Sequence, residues 1–294
     1  MAEVNLSHTS FMLSHAKLLL PLLALSVGIS LSFASPSDDP NKDLQPLLER
    51  QKELFAAAEK DDPNFDQDNF RIQLQQLSND YDKVLRDHPE FAAGYAAYGI
   101  LLGKIDMRKE SAAMLLHANR LDKNMPVVKN QLGNYLAEEG KPLDAVNYFL
   151  GAIQLAPKEA LYHYQLGTLL TEARDDFLQS GQWTREGLDK AMHEAFRQAM
   201  TLEPTNVAYA YRYGESFYDL EHPDWEQALE YWRGLELKLS TPIEKQTVRL
   251  HEANVLMKQG KLDDARKLID SVTETVLEKQ KQKLLEQFPK PAEK

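Results

Sequence analysis

Cysteine is absent from all 294 residues. That excludes disulfides, thiolate zinc sites, a cysteine nucleophile and a lipid-modified cysteine behind a leader. Surplus positive charge is absent too: Lys and Arg total 34 against 45 Asp and Glu, giving a formal net charge of -11 and a pI near 5.3. Such a chain repels a nucleic-acid backbone or an anionic membrane face, so neutral or basic protein partners are expected and nucleic acid is not. Neither a glycine-rich phosphate loop nor a GxSxG elbow occurs, which leaves nucleotide and acyl-transfer chemistry without a foothold. "HEAF" at His193 and "HEAN" at His251 begin like a zinc-protease helix, but Arg197 and Val255 stand where the second histidine is required. Neither makes a two-ligand face. The acid pairs Asp175-Asp176 and Asp263-Asp264 read as solvated helix surface. No catalytic residue, metal or cofactor is expected.

Apolar residues make up 43% of the chain, enough for a real core. A long apolar run occurs once, as "LLLPLLALSVGISLSFA" after Lys17, with Ser32 and Ala34 as the small residues a signal peptidase reads. Residues 1–34 are expected to be a signal peptide cleaved after Ala34, with a cationic start if translation begins at Met12. The alternative is an uncleaved inner-membrane anchor, against which stand the shortness of the run and its Ser26, Gly28, Ser30 and Ser32. Residues 35–43 read as a polar linker. No later run is long and apolar enough to span a bilayer, so the mature chain is expected to be exported and periplasmic.

Beyond the leader the chain keeps a clock. Gly99, Gly133 and Gly167 are separated by 133 - 99 = 34 and 167 - 133 = 34 residues, and Gly214 follows after 47, which is 34 plus an insertion of 13. Pro157 and Pro204 are also 47 apart, and Pro89 precedes Pro157 by 68, twice 34. A helix, a glycine-bearing turn, a second helix and a proline-terminated turn, repeated at this period, describe stacked helix pairs. In the first helix Tyr95, Tyr98 and Leu102 share a face, and Ala210, Tyr213 and Phe217 repeat it. In the second, Ala145, Phe149 and Ala152 set a large ring between two small contact points.

At these residues the sequence resembles the tetratricopeptide repeat family. Gly140 closes a first helix, and Gly260 in "MKQGKLDDARKLI" precedes Ala265 and Ile269 by the intervals at which Gly140 precedes Ala145 and Phe149. The resemblance runs from about Leu44 to Phe288, with four consecutive units between Phe91 and Leu239 matching well. Lys123 stands where a proline is usual, Lys129 and His163 where an aromatic is frequent, and the first unit, Leu44 to Pro89, has no matching glycine. The resemblance implies an all-α, right-handed superhelical solenoid of antiparallel helix pairs, about six over residues 44–271. Residues 272–294 would add a capping helix and tail, or a coiled-coil arm.

The resemblance also implies a concave groove lined by first-helix residues three before, one after, and four or five after each glycine. These are Asn130, Asn134 and Glu138, then Tyr164, Thr168 and Glu172, then Tyr211, Glu215, Tyr218 and Asp219. A wall of tyrosines, amides and carboxylates suits a peptide with basic and apolar side chains. The same rings could instead pack between neighbouring repeats, with the acids keeping the wall soluble. The family's clamp for a carboxylate needs basic residues on this wall, and the nearby acids oppose it. The insertion carries Phe177 and Trp183, read as rings that pack on each other while both flanking helices lengthen. The expected function is a non-catalytic scaffold or adaptor in envelope complex assembly. The alternatives are a binding module for cell-wall fragments, an accessory subunit of an envelope enzyme, or a self-assembling structural protein.

Overall fold

The computed structural model describes residues 39–60 and 65–288. The leader reading, most of the linker and the tail at 289–294 lie outside the described residues. Among those described, every regular element is helical. The chain divides into two compact units whose boundary, between Tyr98 and Gly99, falls inside one helix.

In the first unit α1 (Pro40–Ala58) and α2 (Gln67–Asp87) lie antiparallel. Arg50 pairs with Asp80 at 3.0 Å and the Tyr81 hydroxyl donates to Gln51 at 2.9 Å, while Phe55 meets Phe70 edge-on at 6.0 Å. Each helix begins at an aspartate whose carboxylate accepts a backbone N–H, Asp39 from Asn41 and Asp66 from Asn69, as an N-cap requires. The start of α3 (Ala92–Lys104) closes the unit by stacking Tyr98 on the buried Tyr81 at 5.3 Å. The missing glycine of this first pair therefore does not prevent a helical hairpin.

The second unit repeats helix pairs: the end of α3 with α4 (Arg108–Leu121), α5 (Pro126–Glu138) with α6 (Pro142–Leu155), and α7 (Ala160–Glu172) with α9 (Arg185–Leu202). α10 (Val207–Asp219) follows with α11 (Trp225–Glu236), and α12 (Pro242–Lys258) with α13 (Leu262–Asp270). The insertion lies between α7 and α9 and contributes the short α8 (Arg174–Gln179).

Packing explains the period. Each glycine lies against the large side chain of its second helix: Gly99 against Leu115, Gly133 against Phe149, Gly167 against Phe196 and Gly214 against Trp232. The intervals are 115 - 99 = 16, 149 - 133 = 16, 196 - 167 = 29 = 16 + 13, and 232 - 214 = 18 = 16 + 2. Both insertions are absorbed without moving the contact. The turn between paired helices recurs as well. Gly140 and Gly260 take the left-handed conformation, at φ of +69° and +75°. Behind each, Lys141 N–H donates to Leu136 and Lys261 N–H to Leu256, the six-to-one bond of a helix terminator. Asp106, with φ of +64°, does the same job 140 - 106 = 34 residues earlier, aspartate being among the few side chains that tolerate this region.

The insertion departs from the expectation in one respect. α7 keeps 13 residues while α9 reaches 18, so only the second helix lengthens, and the remaining residues form α8. Phe177 is buried in the main core and meets Trp183 edge-on at 5.5 Å, so the two rings do pack on each other. At the C-terminus a 3-10 turn, Thr275–Leu277, leads into α14 (Glu278–Glu286), and Leu277 and Leu284 are buried in the same core. Among the described residues no helix is long and apolar enough to cross a membrane.

Candidate functional site

The first-helix residues selected by spacing fall into three groups. On α5, Asn130 has no exposed surface and its amide atoms find no hydrogen-bond partner, so it lies beneath the face rather than on it. Asn134 is half-buried, and Glu138 is exposed and paired with Arg108 at 3.2 Å.

On α7 and α10 the structure brings a charged cluster together. Tyr164 packs on Tyr209 at 4.8 Å and on Phe196 at 5.8 Å, and burial pushes its phenol above the usual range. The Thr168 hydroxyl donates back to the Tyr164 carbonyl at 3.0 Å, and Glu172 is exposed. Between the helices stands Arg212, which spacing did not select. Its guanidinium lies 4.2 Å over the Phe196 ring and donates to Thr171 at 3.0 Å and to Asp219 at 2.9 Å. Asp219 is thereby neutralised. Glu215, one turn along α10, is raised in pKa by desolvation, a shift that Arg212 opposes and Asp219 reinforces.

The third group joins α10 to α12. The Tyr211 hydroxyl donates to the Glu244 carbonyl at 2.9 Å, and its ring meets Trp232 at 5.7 Å. The Tyr218 hydroxyl donates to the His251 carbonyl at 3.3 Å, and its ring packs on Trp225 at 5.7 Å. These two tyrosines therefore bind neighbouring repeats together through ring contacts and their hydroxyls. Of the ten residues, Asn134, Glu138, Thr168 and Glu172, with the half-buried Glu215, retain polar groups on an accessible face.

The two histidines that open partial zinc motifs have structural surroundings. His193 is 2.7 Å from the Ser216 hydroxyl and packs on Tyr213 and Phe217, and burial lowers its pKa. His251 stacks on Trp232 at 4.2 Å with an interplanar angle of 7°. Among the described residues, no three His, Cys, Asp or Glu are grouped to hold a metal. A cavity of about 590 Å³ lies beside His193, Glu194 and Leu220. Its base is the buried Asp189, held by Arg185 at 2.9 Å and by the Glu221 N–H at 2.7 Å. This lock ties the start of α9 to the α10–α11 loop.

Neither a family model nor a curated protein matches the sequence significantly. Solved structures do match. YrrB, described as a TPR protein with an unusual peptide-binding site, superposes with a TM-score of 0.55 at 14% identity, over 69% of this chain and 97% of its own. The fold is a tetratricopeptide-repeat solenoid. PilW, a widely conserved type IV pilus biogenesis factor, has a TM-score of 0.54 at 10% identity, covering 86% of this chain and 100% of its own. PilF of Pseudomonas aeruginosa has 0.52 at 16%, over 78% and 90%. At such identities the likeness establishes the repeat fold, and residue roles must come from the chain itself.

Two adjacent residues of this repeat fold make a test of the packing. Burial lowers His251 from 6.5 to about 4, and burial, then the charge of Glu236, raises Glu252 from 4.5 to about 7. The His251 contribution to stability is present above pH 6.5 and is lost as pH falls toward 4; that of Glu252 is present below 4.5 and is lost as pH rises toward 7. Between pH 4.5 and 6.5 the unfolded chain carries the proton on histidine and the folded chain carries it on glutamate, so the two slopes cancel. His251→Asn is expected to uncover a loss of stability as pH rises from 4.5 to 7, read from urea midpoints across that range. A variant whose midpoints follow the wild-type profile contradicts the assignment.

Proposed function

We propose that the protein is a non-catalytic interaction scaffold whose first-helix wall on α5, α7 and α10 receives a peptide or protein segment carrying basic and apolar side chains. The observation that carries this reading is the exposed acid on each of two successive first helices, Glu138 and Glu172, 34 residues apart, with the half-buried Glu215 beyond them. Acids at a repeat spacing orient a cationic segment, while Tyr164 and Thr168 provide amphipathic surface between them. YrrB, of the same fold, carries a peptide-binding site. The setting we propose is assembly of envelope complexes in the periplasm, for which the apolar leader at residues 18–34 and the likeness to a pilus biogenesis factor speak together.

Glu138→Lys combined with Glu172→Lys alters two exposed positions, and loss of the surface pair between Glu138 and Arg108 is expected to cost no more than about 1 kcal/mol of stability. Binding of an amidated hexapeptide alternating Lys with Leu and Phe is then expected to weaken by at least about tenfold, a loss of about 1.4 kcal/mol. The wild-type affinity should also fall as salt rises. An affinity indifferent to both changes overturns the placement of the groove.

A further inference from the structure

On the other helices of the same unit, the C-terminal half of α11, the middle of α12 and the body of α13 line an open depression of about 480 Å³. That volume lies within the range of small-molecule sites. Its polar floor is Glu252, which is 3% exposed and whose Oε1 has no hydrogen-bond partner. Ionising this buried carboxyl beside Glu236 is costly, and none of the nearby cations is placed to offset it. Arg249 is engaged by Glu236 at 2.6 Å, and Lys267 by Asp264 at 3.1 Å. Arg233 is 60% exposed, and its Nε stays 3.7 Å from Glu252 Oε2, beyond hydrogen-bond range. Leu256 and Leu268 supply apolar lining, and Leu237 at the rim is 86% exposed. An acceptor at the floor of an apolar-sided depression matches a charged donor on an aliphatic stem.

We infer that this depression binds a primary alkylammonium group, its nitrogen donating to the Glu252 carboxylate and its methylene stem lying against Leu237, Leu256 and Leu268. A guanidinium is disfavoured because Arg233 and Arg249 already crowd the same carboxylates. The site is separate from the first-helix wall and does not depend on that reading.

The groups facing Glu252 are Arg233 and Glu236 from α11, Arg249 from α12, and Asp264 and Lys267 from α13. Of the carboxyls, Glu252 is the one raised to about 7, so its ionised fraction rises about tenfold between pH 6 and pH 8 while an alkylamine stays protonated. Calorimetric titration of the full chain with 1,5-diaminopentane and with N-acetyl-lysine methylamide tests the site. Saturable binding is expected at pH 8, about tenfold weaker at pH 6, and weaker by at least about tenfold at pH 8 in Glu252→Gln, with the pH difference abolished. Should Glu252→Gln shift the melting temperature, Leu237→Ser at the exposed rim carries the same expectation of weakened binding. Diamine binding without the lysine amide assigns the site to a free polyamine. Comparable binding of both assigns it to a lysine side chain of a protein partner. Failure of both probes to saturate, or a Glu252→Gln variant that binds as the wild type does, overturns the inference.

Discussion

Phe177→Ala is expected to destabilise the protein by about 3–5 kcal/mol, the range for removing a fully buried ring that the surroundings cannot refill. For a unit of this size that lowers the thermal midpoint by roughly 6–20 °C, measurable by circular dichroism. The ring reaches the main core from α8, an element outside the repeat, and is held edge-on by Trp183 at 5.5 Å. Trp183 is itself only half-buried, so Trp183→Ala should cost less. The competing idea, that the insertion presents an aromatic anchor to a partner, makes the opposite forecast. In that case Phe177→Ala leaves the stability within about 1 kcal/mol of wild type and lowers only a binding constant.

Gly214→Ala is expected to cost about 1–2 kcal/mol, an overpacking penalty near the top of the usual range less the roughly 1 kcal/mol that alanine gains in helix propensity. A Cβ there would lie 2.4 Å from the Trp232 ring, closer than real Cβ contacts come. The ring cannot retreat easily: it is fully buried, His251 stacks on one face at 4.2 Å, and Tyr211 and Tyr231 meet it at 5.7 and 5.8 Å. Gly99→Ala is the internal control. Its nearest atom is 2.8 Å away but belongs to Leu115, an aliphatic side chain with another rotamer to adopt. Gly133→Ala and Gly167→Ala, facing the Phe149 and Phe196 rings at 2.9 and 2.8 Å, should fall between. Equal losses at Gly99 and Gly214, in urea or thermal unfolding, would mean that the period is not set by this contact.

The repeat was legible because glycine and proline act locally. A residue that must admit a neighbouring ring, or end a helix, advertises itself without knowledge of the rest of the chain. Asp106 was not legible, since aspartate in the left-handed region looks like any surface acid until the turn is drawn. Spacing placed the ten selected side chains on their helices but did not foretell what each one touches. Tyr211 and Tyr218 occupy the selected face, yet their hydroxyls reach carbonyls of the next first helix, and which side of a tyrosine faces a partner depends on how far apart the repeats stand. Asn130 has the same spacing and is fully buried, whereas Tyr164 and Tyr211 at the corresponding positions of α7 and α10 are half-buried. Arg212 escaped because its partners, Thr171 and Asp219, lie 41 and 7 residues away and only packing aligns them. Glu252 escaped for the same reason, its surroundings being drawn from three helices.

Partners are expected to meet the first-helix face. A photo-activated cross-linking side chain placed at Glu172, and separately at Leu150, which is 46% exposed on a second helix, addresses it in cells producing the full chain. A discrete adduct from position 172 and none from position 150 is the predicted result. An adduct from position 150 alone would contradict it, and would assign recognition to the second helices.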